Sequence, residues 1–141
     1  SHELINLMKH AARGFIFSAA IPPAQAAAAK TAFEVILDES ERVERVQRNA
    51  ARFIGGLKRV GFDTMQSETA IVPIMCGTDE KAYELVRMCQ REKIFVLPVV
   101  SPAVPAGMAR LRATVTAGHT TAQVERALTV LEKAGKQVGL I

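Results

Sequence analysis

Cysteine is scarce, with Cys76 and Cys89 the two in 141 residues, and they stand in no Cys-x-x-Cys or Cys/His ligand spacing. That argues against structural zinc and reads as reduced thiols in a cytoplasmic protein. Long apolar runs are also missing. Proline, glycine or charge interrupts every candidate well before the roughly 20 residues a membrane span requires, and residues 1–10 carry Glu3 in an amphipathic pattern unlike a signal peptide. Aromatic residues make up 5% of the chain and no dense basic run is interleaved with them. The net charge of +4 therefore suits anionic small ligands such as phosphates or coenzyme A better than nucleic acid. No G-x-S-x-G, Walker loop, G-x-G-x-x-G or H-E-x-x-H occurs, so no motif marks a complete active site or a metal centre.

What remains is an ordinary globular composition, 49% hydrophobic and 23% charged, in a chain long enough for one core or one core with an appended segment. "ELINLMKHA" opens it as an amphipathic helix with Leu4, Ile5, Leu7 and Met8 apolar and no clear cap before it, the look of a chain cut into. In "GFIFSAAIPPAQ" the run Phe15 to Phe17 predicts a short buried strand ended by Pro22 and Pro23. Proline in a first turn is compatible with the helix that "AQAAAAKTAFEVIL" then continues through Leu37. Its four successive alanines suit either a small-residue packing face or a dimer contact.

A second long helix follows. Val43, Val46, Ala50, Phe53, Ile54 and Leu57 recur at helical spacing, Glu41, Arg42, Glu44, Arg45 and Arg48 form a charged face, and Gly61 stops it. Gly55 and Gly56 are expected to loosen its last turns. "AIVPIMCG" predicts a strand, Thr78 or Asp79 a cap for the helix "EKAYELVRMCQRE", and "IFVLPVV" the next strand, before the loop "SPAVPAG". Thr120 and Gln123 fit a capping box at the start of the final helix. From about residue 38 the order is helix, strand, helix, strand, strand, helix. It specifies an α+β unit with a small, largely antiparallel sheet covered by helices on one face.

The third strand carries the most chemistry. In "ARLRATVTAGHT", Ala109, Leu111, Ala113 and Val115 fall on one face, and Arg110, Arg112, Thr114 and Thr116 on the other. A guanidinium donates two parallel hydrogen bonds to a carboxylate or phosphate and stays charged at any working pH. Taken alone, the pattern is more often a solvated strand face, since most surface charges are only solvated. His119 has no Ser or Cys beside it as a nucleophile and reads as a local hydrogen-bonding residue.

"ARGFIFSAAIPPA", "VPAGMARLRATVTAGHT" and the ending "GKQVGLI", with the same succession of helices and strands between them, resemble the C-terminal third of the α-oxoamine synthases. These pyridoxal-phosphate enzymes of the aspartate-aminotransferase fold include 2-amino-3-ketobutyrate coenzyme A ligase, 8-amino-7-oxononanoate synthase, 5-aminolevulinate synthase and serine palmitoyltransferase. The resemblance covers essentially the whole chain. It implies the small C-terminal domain of that fold, a three-stranded sheet covered by helices over residues 38–141. Residues 1–37 would be a helix-strand-helix segment from the end of the large domain and its connecting helix.

The activity implied is an acyltransferase that condenses an amino acid with an acyl thioester of coenzyme A or acyl carrier protein, in a cytoplasmic homodimer. Arg112 matches the family arginine that grips the substrate carboxylate. Ser18 matches the hydroxyl that reaches the cofactor phosphate of the neighbouring subunit, although Ala19 stands where relatives often have Ser, Thr or Asn. Ala103 replaces a threonine found in several members, and Arg110 matches a commonly basic position without a firm role.

The family's Schiff-base lysine sits in a Ser/Thr-x-x-Lys context before a Gly-rich stretch. None of Lys9, Lys30, Lys58, Lys81, Lys93, Lys133 or Lys136 has that setting. The chain is therefore expected to be a fragment or separated C-terminal region, with no catalytic residue of its own and no turnover alone. Two alternatives from another class remain, a non-catalytic α+β interaction module and a carboxylate sensor built on Arg110 and Arg112.

Overall fold

The computed structural model describes residues 1–16 and 21–141. It divides into two compact units, Ser1–Asp38 and Glu39–Ile141.

The first unit is helical. α1 (His2–Ala11) is capped by the Ser1 hydroxyl, which accepts from the Leu4 amide at 3.3 Å. α2 is a single turn, Arg13–Ile16, and α3 covers Pro23–Asp38. The strand expected over Phe15 to Phe17 is thus corrected for its described part, because Phe15 and Ile16 lie in a helical turn. Phe17 lies outside the described residues. A strand needs a neighbour for its amides and carbonyls. No strand is paired with this segment among the described residues, and the Phe15 amide donates instead to the Ala12 carbonyl, 2.9 Å away. Phe15 is 60% exposed, so the expected burial is absent as well.

The second unit follows the sequence pattern closely. α4 (Glu41–Val60) buries Ala50, Phe53 and Leu57 and ends at Gly61, whose φ of 106° is the left-handed conformation glycine adopts without strain. β1 (Ile71–Gly77), α5 (Asp79–Arg91), β2 (Leu97–Val99), β3 (Ala109–Thr114) and α6 (Thr121–Val138) complete it. Thr78 is the α5 cap and accepts from the Lys81 amide. Thr120 and Gln123 form the capping box on α6, with the Thr120 amide donating to Gln123 Oε1 at 2.8 Å.

The three strands pair in the order β1-β3-β2, both pairings antiparallel, so the last strand in sequence is the middle one in space. β2 is shorter than the apolar run "IFVLPVV" because its pairing with β3 ends at Leu97 opposite Arg112. Val72, Ile74, Leu111 and Ala113 turn one sheet face onto Leu57, Leu85, Val124 and Leu131, and this cluster is the core. α4 runs unbroken through Gly55 and Gly56, which corrects the expected loosening. A β-carbon on Gly56 would run into the Leu128 side chain, so the bare backbone permits close packing against α6.

Candidate functional site

With helices on one face of the sheet, the other face keeps whatever the alternate positions of each strand supply. On β3 these are Arg110, Arg112 and Thr114. Arg112 is exposed and sits between its cross-strand partners Pro73 and Leu97; Arg110 is half-buried between Met75 and Val99. The two guanidinium groups therefore rise from a largely apolar surface.

Their surroundings differ. Arg110 Nε donates to the Met108 carbonyl at 3.1 Å, and its Nη1 lies 3.5 Å from Met65 Sδ. Among the described residues the Arg112 side chain has no hydrogen-bond or ion-pair partner. It is a fixed cation with its donors free, the state a carboxylate-binding arginine needs before its ligand arrives.

The flanking loops are tied to the helices. Before β3, residues 100–108 turn with the Ala103 amide donating to the Val100 carbonyl at 2.9 Å, and Asp79 Oδ1 accepts from the Ser101 amide at 3.4 Å. Ala103 is exposed and its methyl offers no polar contact. After β3, His119 Nδ1 accepts from the Thr116 amide at 3.1 Å, which puts the proton of the neutral ring on Nε2 and gives His119 the local role its position suggests. Asn49, buried on α4, donates its side-chain amide to the carbonyls of Thr116 at 3.1 Å and His119 at 2.8 Å. Sequence reasoning missed Asn49. The signal was a polar residue beside Ala50 and between Val46 and Phe53 on an apolar helix face.

A cavity of about 550 Å³ lies at the end of the sheet where β3 continues beyond β2, with Arg112, Thr114, Lys93, Phe95 and Arg126 in its lining. Cys76 and Cys89 are elsewhere, in the core, and burial raises both thiols to about 11. Protonated and inaccessible, they are poor nucleophiles and poor metal ligands. Among the described residues no group of three or more His, Cys, Asp or Glu could hold a metal ion, and no helix is long and apolar enough to cross a membrane. Ser18 and Ala19 lie outside the described residues.

Comparison with known proteins follows the whole length of the chain. The family described as Aminotransferase class I and II matches residues 1–131. An 8-amino-7-oxononanoate synthase/2-amino-3-ketobutyrate coenzyme A ligase of Thermus thermophilus is 41% identical over 100% of this chain and 36% of its own length. An 8-amino-7-oxononanoate synthase of Treponema denticola is 39% identical over 97% of this chain and 35% of its own. A structure of a substituted serine palmitoyltransferase from S. paucimobilis with a bound PLP–myriocin aldimine superposes with a TM-score of 0.81 at 33% identity, covering 96% of this chain and 35% of that one. The chain thus spans about 35% of the length of the curated relatives it matches.

Proposed function

Because the chain belongs to the aminotransferase class I and II family, we propose that it serves in a pyridoxal-phosphate-dependent acyltransferase that condenses an amino acid with an acyl thioester. The observation that carries this reading is the similarity to named enzymes of that reaction type over 97–100% of the chain. In the proposal, residues 38–141 act as the small C-terminal domain and residues 1–37 as the end of a large domain, in a cytoplasmic homodimer. Coenzyme A and acyl carrier protein are the candidate thioester carriers.

Pyridoxal phosphate, when bound, withdraws electrons from the amino-acid α-carbon. The described residues around Arg112 do not by themselves make a site for it. The lining there offers cations and hydroxyls but no carboxylate for a pyridinium nitrogen, and Lys93, the lysine present, follows Glu92 at a helix end rather than a Ser/Thr-x-x-Lys motif. The contribution of this chain is substrate placement. Arg112 holds the carboxylate through two parallel hydrogen bonds, and that fixes the rotation of the amino acid about its α-carbon. Ser18 is the proposed phosphate contact across the dimer. Arg110, held by Met108, supports the strand and adds positive potential.

The test is thiol release from an acyl thioester in the protein as it occurs in its source, with glycine, alanine and serine offered in turn. Arg112→Lys is expected to raise the amino-acid KM by about tenfold or more while the cofactor absorbance stays unchanged. No thiol release with any of these amino acids, or an unaltered KM in the variant, overturns the proposal.

A further inference from the structure

The cavity beside β3 has a character that substrate placement by Arg112 does not use. Lys93 and Arg126 join Arg112 in its lining, and among the described residues no aspartate or glutamate does. Its accessible apolar lining is Ile94, Phe95, Leu97 and Ala127, which lie over the buried core residues Phe53, Val96 and Leu131. The opening exists because β2 stops pairing at Leu97, which leaves Ala113 and Thr114 of β3 without a partner on that side. Arg126 is held in place by one hydrogen bond, from its Nη2 to the Glu92 carbonyl at 2.9 Å, which leaves its other donors available.

The size falls within the usual range for small-molecule sites, roughly 300–1,000 Å³. The uniform positive charge selects an anion. The apolar wall selects against a bare inorganic anion, which keeps its hydration better in water than against hydrocarbon. We propose that this cavity binds an aliphatic monocarboxylate, its chain against Ile94, Phe95, Leu97 and Ala127 and its carboxylate toward Lys93 and Arg126. The site lies wholly within Glu39–Ile141 and does not require bound cofactor or the acyltransferase reaction.

Sodium octanoate titrated calorimetrically into the protein as it occurs in its source, at low ionic strength, is the probe. One saturable site is expected, and Arg126→Gln with Lys93→Asn is expected to weaken it by about tenfold or more. Octanol, which has the chain without the charge, is expected to bind more weakly by a similar factor. Lys93→Asn alone, at an exposed side chain with φ of 60° that asparagine tolerates, is measured as well in case the double variant loses its fold. Absence of saturable binding, equal binding of octanol, or undiminished affinity in a variant with native circular dichroism each overturns the proposal. Glycine, which has no chain to bury, separates this site from the substrate site. A loss of octanoate binding in Lys93→Asn with an unchanged amino-acid KM assigns the effect to the cavity.

Discussion

Arg110 and Arg112 share one face of β3, yet Arg110 is tied back to the Met108 carbonyl while the Arg112 side chain has no partner among the described residues. The same strand thus carries one guanidinium tied into the fold and one whose donors have no protein partner among the described residues.

Stability should separate the pair. Replacing an exposed side chain without partners changes little, so Arg112→Gln is expected within about 0.5 kcal/mol of the parent in urea unfolding. Arg110→Ala removes the hydrogen bond to the Met108 carbonyl and a half-buried stem that lies between the cross-strand positions Met75 and Val99, and is expected to cost about 0.5–1.5 kcal/mol.

Asn49 bears more than either arginine. Asn49→Leu keeps the branch point with bulkier ends, leaves the His119 carbonyl without the Asn49 donor and leaves the Thr116 carbonyl only the His119 amide at 3.3 Å. A loss of about 1–3 kcal/mol is expected, read as a lower midpoint in urea with an unchanged slope.

Gly56 tests the close approach of α4 to α6. In Gly56→Ala the new methyl meets Leu128, and the expected cost is about 1–3 kcal/mol. Leu128→Ala costs stability by itself, but the two changes together should cost less than their sum, because the second makes room for the first.

The thiols set a limit at alkaline pH. Cys76 and Cys89 titrate near 9.0 when exposed and are raised to about 11 by burial. Between those values the unfolded chain loses thiol protons that the folded chain retains, so unfolding is favoured as pH rises. Their contribution is fully present below pH 9.0 and is lost progressively toward pH 11, which equilibrium unfolding of the parent and of a Cys89→Ala variant across that interval would register. At neutral pH neither thiol should react with iodoacetamide until the chain unfolds.

Most of the second unit was legible because its signals are local. Val46, Ala50, Phe53 and Leu57 mark one helix face, Thr120 and Gln123 mark a helix start, and the alternation from Ala109 to Val115 marks the strand. Arg112 could be singled out by pattern and resemblance, but its lack of a partner depends on what other strands bring near it. The Phe15 segment failed for the opposite reason. An apolar run carries no information on whether a neighbouring strand is there to pair with it. Gly56 was read through its intrinsic helix propensity, whereas Leu128, 72 residues later in the sequence, decides its role.

The strand order has a consequence for how the unit is made. β1 and β2 are not neighbours in the sheet, and each is paired with β3 alone. During synthesis both therefore wait with open edges until residues 109–114 have emerged, and Leu131 completes the core later still. The sheet cannot grow strand by strand behind the ribosome. It closes late and from its middle, so truncation within the loop before Ala109 should leave two unpaired strands rather than a smaller version of the same fold.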